Sequence, residues 1–120
     1  MAQVKIKRVY APKEESDGYR VLVDRLYPRG IKKENLHYDL WAKDIAPSTV
    51  LREWSHEAEG DRWEEFRKRY LQELKSSLEV KDFVEKIRRL AVVTLLYSSR
   101  NEVENNAVVL QDYLAKQLVP

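Results

Sequence analysis

Val21-Leu22-Val23-Asp24-Arg25-Leu26-Tyr27-Pro28-Arg29-Gly30 runs an apolar strand straight into one carboxylate and two guanidinium groups. A second run has the same design: Val92-Val93-Thr94-Leu95-Leu96-Tyr97 is followed by Ser98-Ser99-Arg100-Asn101. Continuous apolar strands of this kind belong to parallel sheets covered on both faces, and ligands of open parallel sheets bind beyond the carboxyl ends of the strands. The two runs therefore predict an α/β fold, a small mainly parallel sheet flanked by helices, with residues 24–30 and 98–101 facing one crevice.

The rest of the chain fits around these strands. Residues 4–10 alternate and then slip, as an edge strand does, with Lys5 and Lys7 expected to face water. Residues 11–18 carry Pro12, Ser16, Asp17 and Gly18 and read as a loop into a central strand over 19–23. Residues 36–41 alternate briefly, as a further edge strand or extended segment. Ser48 is placed to cap a short helix ending near His56, and Gly60-Asp61 restarts the chain, with Asp61 and Glu64 resembling a capping box. Trp63, Phe66, Tyr70, Leu71 and Leu74 then recur at helical spacing, an aromatic stripe that reads as core; Glu64 with Lys68 and Glu65 with Arg69 are spaced to pair on the outer face. Val80, Phe83, Val84, Ile87 and Leu90 mark another amphipathic helix, which returns the chain to the second strand. Asn101 with Glu104 is expected to cap a last helix that turns Val103, Ala107, Leu110, Leu114 and Leu118 inward.

Composition narrows the function classes. The 120 residues suit one domain, 1–120. There is no cysteine, which removes disulfides, thiolate chemistry and cysteine-ligated zinc. No apolar run approaches the roughly 18 residues of a membrane span, and the N-terminus lacks the apolar core of a signal peptide, so a soluble cytoplasmic protein without membrane contact is expected. The net charge of +2, from 22 basic and 20 acidic residues, makes a weak case for nucleic acid. Lys5, Lys7, Arg8, Arg67, Lys68, Arg69, Arg88 and Arg89 are the basic positions such binding would use, but acidic residues interleave with most of them.

Chemistry is expected where the strands end. Asp24, Arg25 and Arg29 leave one strand; Ser98, Ser99 and Arg100 leave the other, just ahead of a helix whose unpaired N–H groups favour an anion. The ligand type this suits is an anionic small molecule bearing phosphate, sulfate or carboxylate. Asp24 and an arginine could equally form an internal ion pair that shapes the Pro28 turn. His56 is the side chain suited to proton transfer near neutral pH, or else a simple helix-terminal cap. His37 reads as a surface residue. Lys43 and Asp44, between Trp41 and Pro47, either line the crevice or pair with each other, Asp44 sharing with Asp24 the role of orienting His56. The histidines lack metal-binding spacing, and phosphate-loop and nucleophile-elbow motifs are absent, so no metal or cofactor is expected.

Taken together, Lys7-Arg8-Val9-Tyr10, residues 17–30, Ala46-Pro47-Ser48-Thr49 with Leu51-Arg52 and His56, Phe66-Arg67 with Tyr70, Thr94-Leu95-Leu96-Tyr97 and Asn105-Asn106-Ala107 resemble the YeaO-like proteins. These form a small prokaryotic family grouped under domain of unknown function 488. The resemblance runs nearly end to end and implies a compact α/β domain without an established activity. It also adds Asn105 and Asn106 to the ligand-binding candidates. Many relatives resemble Asn-His-Ala where this chain has Asn105-Asn106-Ala107, which puts in doubt any mechanism needing an imidazole at position 106; an amide donates hydrogen bonds but exchanges no proton at neutral pH. Two readings follow. In one, an enzyme clamps an anion with Arg25, Arg29 and Arg100 and uses His56 as acid or base; in the other, the same crevice binds a ligand or protein partner without chemistry. A buried His56 favours the first, an exposed one the second.

Overall fold

The computed structural model describes residues 2–57 and 61–119. Four strands, β1 (Gln3–Arg8), β2 (Tyr19–Leu22), β3 (Leu40–Trp41) and β4 (Val92–Tyr97), form one all-parallel sheet in the order β1-β4-β2-β3. The helices are α1 (Thr49–Glu57), α2 (Trp63–Ser76), α3 (Leu78–Ile87) and α4 (Asn106–Leu118). None is long and apolar enough to cross a membrane.

The two faces of the sheet are covered differently. Alternation sends Val21, Val93 and Leu95 to one face, where they are buried with Leu51 of α1, Tyr70 and Leu74 of α2, Phe83 and Ile87 of α3 and Leu110 and Leu114 of α4. Leu22 and Leu96 point the other way and are buried with Val9 and Leu36, with Tyr27, Ile31, Tyr38 and Trp41 packed against them. Helices cover the first face and connecting segments the second.

That second covering corrects one expectation. Lys5 and Lys7 do not face open water, because residues 12–17 fold across them: Lys5 Nζ donates to the Ser16 carbonyl at 3.1 Å and Lys7 Nζ to that of Pro12 at 2.9 Å. Lys7 also pairs with Asp17 at 2.7 Å and Glu14 at 2.9 Å. Asp17 and Arg20 are each 3% exposed and pair with each other; Arg20 Nε also donates to the His37 carbonyl at 2.7 Å, while the Thr94 hydroxyl donates to the Asp17 carbonyl at 2.6 Å. Buried charges persist only when paired in this way.

Other expectations shift at their boundaries. The Ser48 hydroxyl accepts from Leu51 N–H at 3.1 Å, as a helix cap should. It also donates to Glu73 of α2 at 2.5 Å, tying α1 to α2. The segment at 36–41 contributes only Leu40 and Trp41 as strand. Gly60 lies outside the described residues, and Asp61 accepts from Trp63 N–H at 2.9 Å without a capping box. On the outer face of α2 Glu65 meets Arg69 at 3.2 Å. Asn101 does not cap the last helix. Its side-chain oxygen accepts from Val103 and Glu104 N–H in a separate turn, and α4 starts at Asn106 with Asn105 capping Val108 N–H at 3.0 Å. Val103 is consequently outside the helix and 75% exposed.

Candidate functional site

Because β2 and β4 are parallel neighbours, the segments that follow them lie at the same end of the sheet. Between them opens a crevice of about 790 Å³ that α1, the start of α2 and the start of α4 close on the other sides. It gathers Asp24, Arg25 and Arg29 from the first segment, Ser98, Ser99 and Arg100 from the second, Asn105 and Asn106 from α4, and His56 from α1. Lys43 and Asp44 are not on its wall. Lys43 Nζ sits 3.9 Å from the centre of the Trp41 ring, and Asp44 lines a separate shallow groove with Ser48 and Glu73.

Asp24 holds the two strand ends together. One carboxylate oxygen accepts from Ser98 N–H at 2.9 Å and from the Ser98 hydroxyl at 2.6 Å; the other accepts from the Asn106 amide at 3.1 Å. The same amide donates to the Val23 carbonyl at 3.1 Å, and Trp41 Nε1 donates to the Asp24 carbonyl at 2.8 Å. Among the described residues Asp24 has no arginine partner, so the internal ion pair weighed from the sequence is replaced by a clasp of neutral donors.

The arginines divide into anchored and unpartnered. Arg25 Nε donates to the Pro47 carbonyl at 2.9 Å, which ties the 24–30 segment to the entry of α1. Arg8, behind the crevice, donates to the carbonyls of Ser99 and Ser98 at 2.9 and 3.3 Å. Arg62 donates to the Trp54 carbonyl at 2.7 Å and stands 4.5 Å from that ring. Arg29 and Arg100 are exposed at the rim and Arg52 is half-buried in the α1 wall; among the described residues none of the three has a side-chain hydrogen bond or ion pair. Among the described residues the crevice therefore holds five arginines against two carboxylates, Asp24 and Glu104.

Sequence reasoning missed Arg52 and Arg62. A signal for Arg52 existed, since it precedes His56 by four residues and so shares its helix face. Trp63 and Phe66, read as core stripe, do pack on the core, but their rings also line the crevice, stacked at 5.9 Å and 27°. His56 is exposed. The side-chain oxygen of Asn105 caps α4 and its amide donates to the Asn101 carbonyl at 2.8 Å, so its polar atoms are engaged within the fold. Among the described residues no cluster of three His, Cys, Asp or Glu side chains is arranged to hold a metal ion.

Comparison with known proteins places this architecture. The family model described as the inactive DUF488-N3 subclade matches residues 3–119. The chain is 48% identical over 111 residues to the uncharacterised protein YeaO of Escherichia coli K12, covering 92% of this chain and 96% of that one. It is also 39% identical over 112 residues to uncharacterised proteins of Mycobacterium bovis and Mycobacterium tuberculosis, covering 93% of each chain. No solved structure matches. A family match across almost every residue, joined by relatives matched over nearly their full length, means that the chain belongs to the YeaO-like DUF488 proteins, in the inactive DUF488-N3 subclade.

Proposed function

We propose that the crevice binds an anionic small molecule and performs no chemistry on it. The observation that carries this reading is the excess of guanidinium groups over carboxylates, with Arg29, Arg52 and Arg100 free of side-chain partners among the described residues. A half-buried cation without a counter-ion is costly, and a bound phosphate or carboxylate removes that cost through charge-assisted hydrogen bonds. Asp24 keeps its charge, but its oxygens are turned to Ser98 and Asn106 and pair with no arginine of the crevice among the described residues. The same engagement takes Asp24 away from orienting His56. With His56 exposed, its imidazole lacks the desolvated setting that tunes a general acid or base. The description of the subclade as inactive agrees with a binding role.

The test is a thermal-shift titration with inorganic phosphate and sulfate, since a ligand of the folded state must raise the melting temperature. Phosphate is expected to stabilise the protein, and Arg52→Ala and Arg100→Ala to abolish the gain. His56→Ala should leave it unchanged. An unaltered melting temperature in both anions removes the reading.

A further inference from the structure

Resting on that anion-binding reading, we infer that the ligand is a phosphate monoester carrying a flat aromatic ring, of the nucleoside 5′-monophosphate class. The crevice of about 790 Å³ falls within the roughly 300 to 1,000 Å³ usual for small-molecule sites, so a lone phosphate ion would fill only a minor part of it. Its polar and aromatic groups come from different elements. Arg29 and Arg100 belong to the segments after β2 and β4, whereas Trp63 and Phe66 belong to the first turn of α2. Their rings, 5.9 Å apart and 27° from parallel, are only partly buried although both are large and apolar. A stacked pair left open beside unpartnered arginines suits a ligand with an anionic end and a π-face.

The hydrogen-bond inventory narrows the class further. Ser98 and Asn106 spend their side-chain donors on Asp24, and Asn105 caps α4, so few groups remain to read the edge of a base. Recognition of the ring then rests on stacking, which every base offers, and discrimination among bases is weak.

The experiment is calorimetric titration of the full chain with inorganic phosphate, ribose 5-phosphate, adenosine 5′-monophosphate, uridine 5′-monophosphate and adenosine. Both nucleotides should bind about tenfold or more tighter than ribose 5-phosphate, the scale of one stacked base, and within about tenfold of each other. Adenosine should bind at least tenfold more weakly than its monophosphate. Trp63→Leu should bring the nucleotides down to the ribose 5-phosphate affinity while leaving that affinity unchanged; Phe66→Leu serves if Trp63→Leu does not fold, and quenching of the wild-type tryptophan emission gives a readout without any variant. Ribose 5-phosphate binding as tightly as the nucleotides overturns the ring assignment and leaves anion binding standing. Failure of every phosphate-bearing probe overturns both.

Discussion

Asp24 and Ser98, 74 positions apart, share two hydrogen bonds through one carboxylate oxygen, at 2.9 Å from the backbone N–H and 2.6 Å from the hydroxyl. The contact joins the ends of β2 and β4 and thereby sets the width of the crevice. Ser98→Ala removes a hydrogen bond to a charged acceptor, and a loss of about 1.5 to 3 kcal/mol is expected in urea denaturation. A loss below about 0.5 kcal/mol would show that the backbone bond alone holds the strand ends.

Arg29 is expected to behave differently. Its side chain is exposed and takes no part in the Asp24 clasp, so Arg29→Ala should alter stability by no more than about 0.5 kcal/mol while weakening phosphate binding. Combining Asp24→Asn with Arg29→Gln should show no recovery beyond additivity. Recovery in the double variant would reveal a coupling between the two side chains.

The two described glycines with positive φ should separate cleanly. Gly18 has φ +64°, and a Cβ there would lie 2.4 Å from the Val92 carbonyl oxygen, a backbone atom of the central strand. Gly30 has φ +78° with open space around it. Gly30→Ala should cost about 1 kcal/mol from conformation alone; Gly18→Ala adds a clash that only movement of β4 relieves, and should cost several-fold more. Circular dichroism and denaturation midpoints of the two variants provide the comparison.

Stability should fall on acidification through Asp17. Burial pushes its carboxyl up, but Lys7, the Glu14 N–H and Arg20 together outweigh this and hold it below the ordinary carboxylate range. A group lowered in the folded state contributes stability above its unfolded titration, near pH 4, and that contribution is lost as pH falls through its folded value. Lys7 is raised, chiefly by its hydrogen bond to Asp17, so its share is lost only as pH rises above the ordinary lysine range. Asp17→Asn should cost about 3 to 5 kcal/mol at neutral pH, by stranding buried cations, and should flatten the acid limb. An unchanged acid limb in this variant would assign it to other carboxylates.

The parts of the architecture that depend on pattern were readable in advance. Two continuous apolar runs ending in polar clusters are the mark of strands buried on both faces, and they placed β2, β4 and six of the eleven candidate residues, Asp24, Arg25, Arg29, Ser98, Ser99 and Arg100, at one crevice. What escaped depends on tertiary position. Nothing local distinguishes Lys7 in water from Lys7 against Asp17, because the 12–17 segment is brought over it by the fold. Asn101 and Asn105 are both good caps, and the helix starts at the second because Asn101 satisfies Val103 and Glu104 in a turn of its own. Lys43 and Asp44 read equally as crevice residues or as a mutual pair, and among the described residues they are neither: Lys43 lies over Trp41 and Asp44 lines a separate groove.

The strand order carries a consequence for how the molecule comes together. β1 and β2 do not touch; each pairs with β4, which follows both in the chain. Until residue 97 is available, the only strand pairing among the described residues that the chain can make is the two-residue bridge of β2 to β3. Ordering the sheet therefore waits on closing long loops, a topology that folds slowly compared with one built from neighbouring hairpins. Chains ending before β4 should collect as unstructured, aggregation-prone fragments, and the domain should assemble as a single cooperative unit once its central strand arrives.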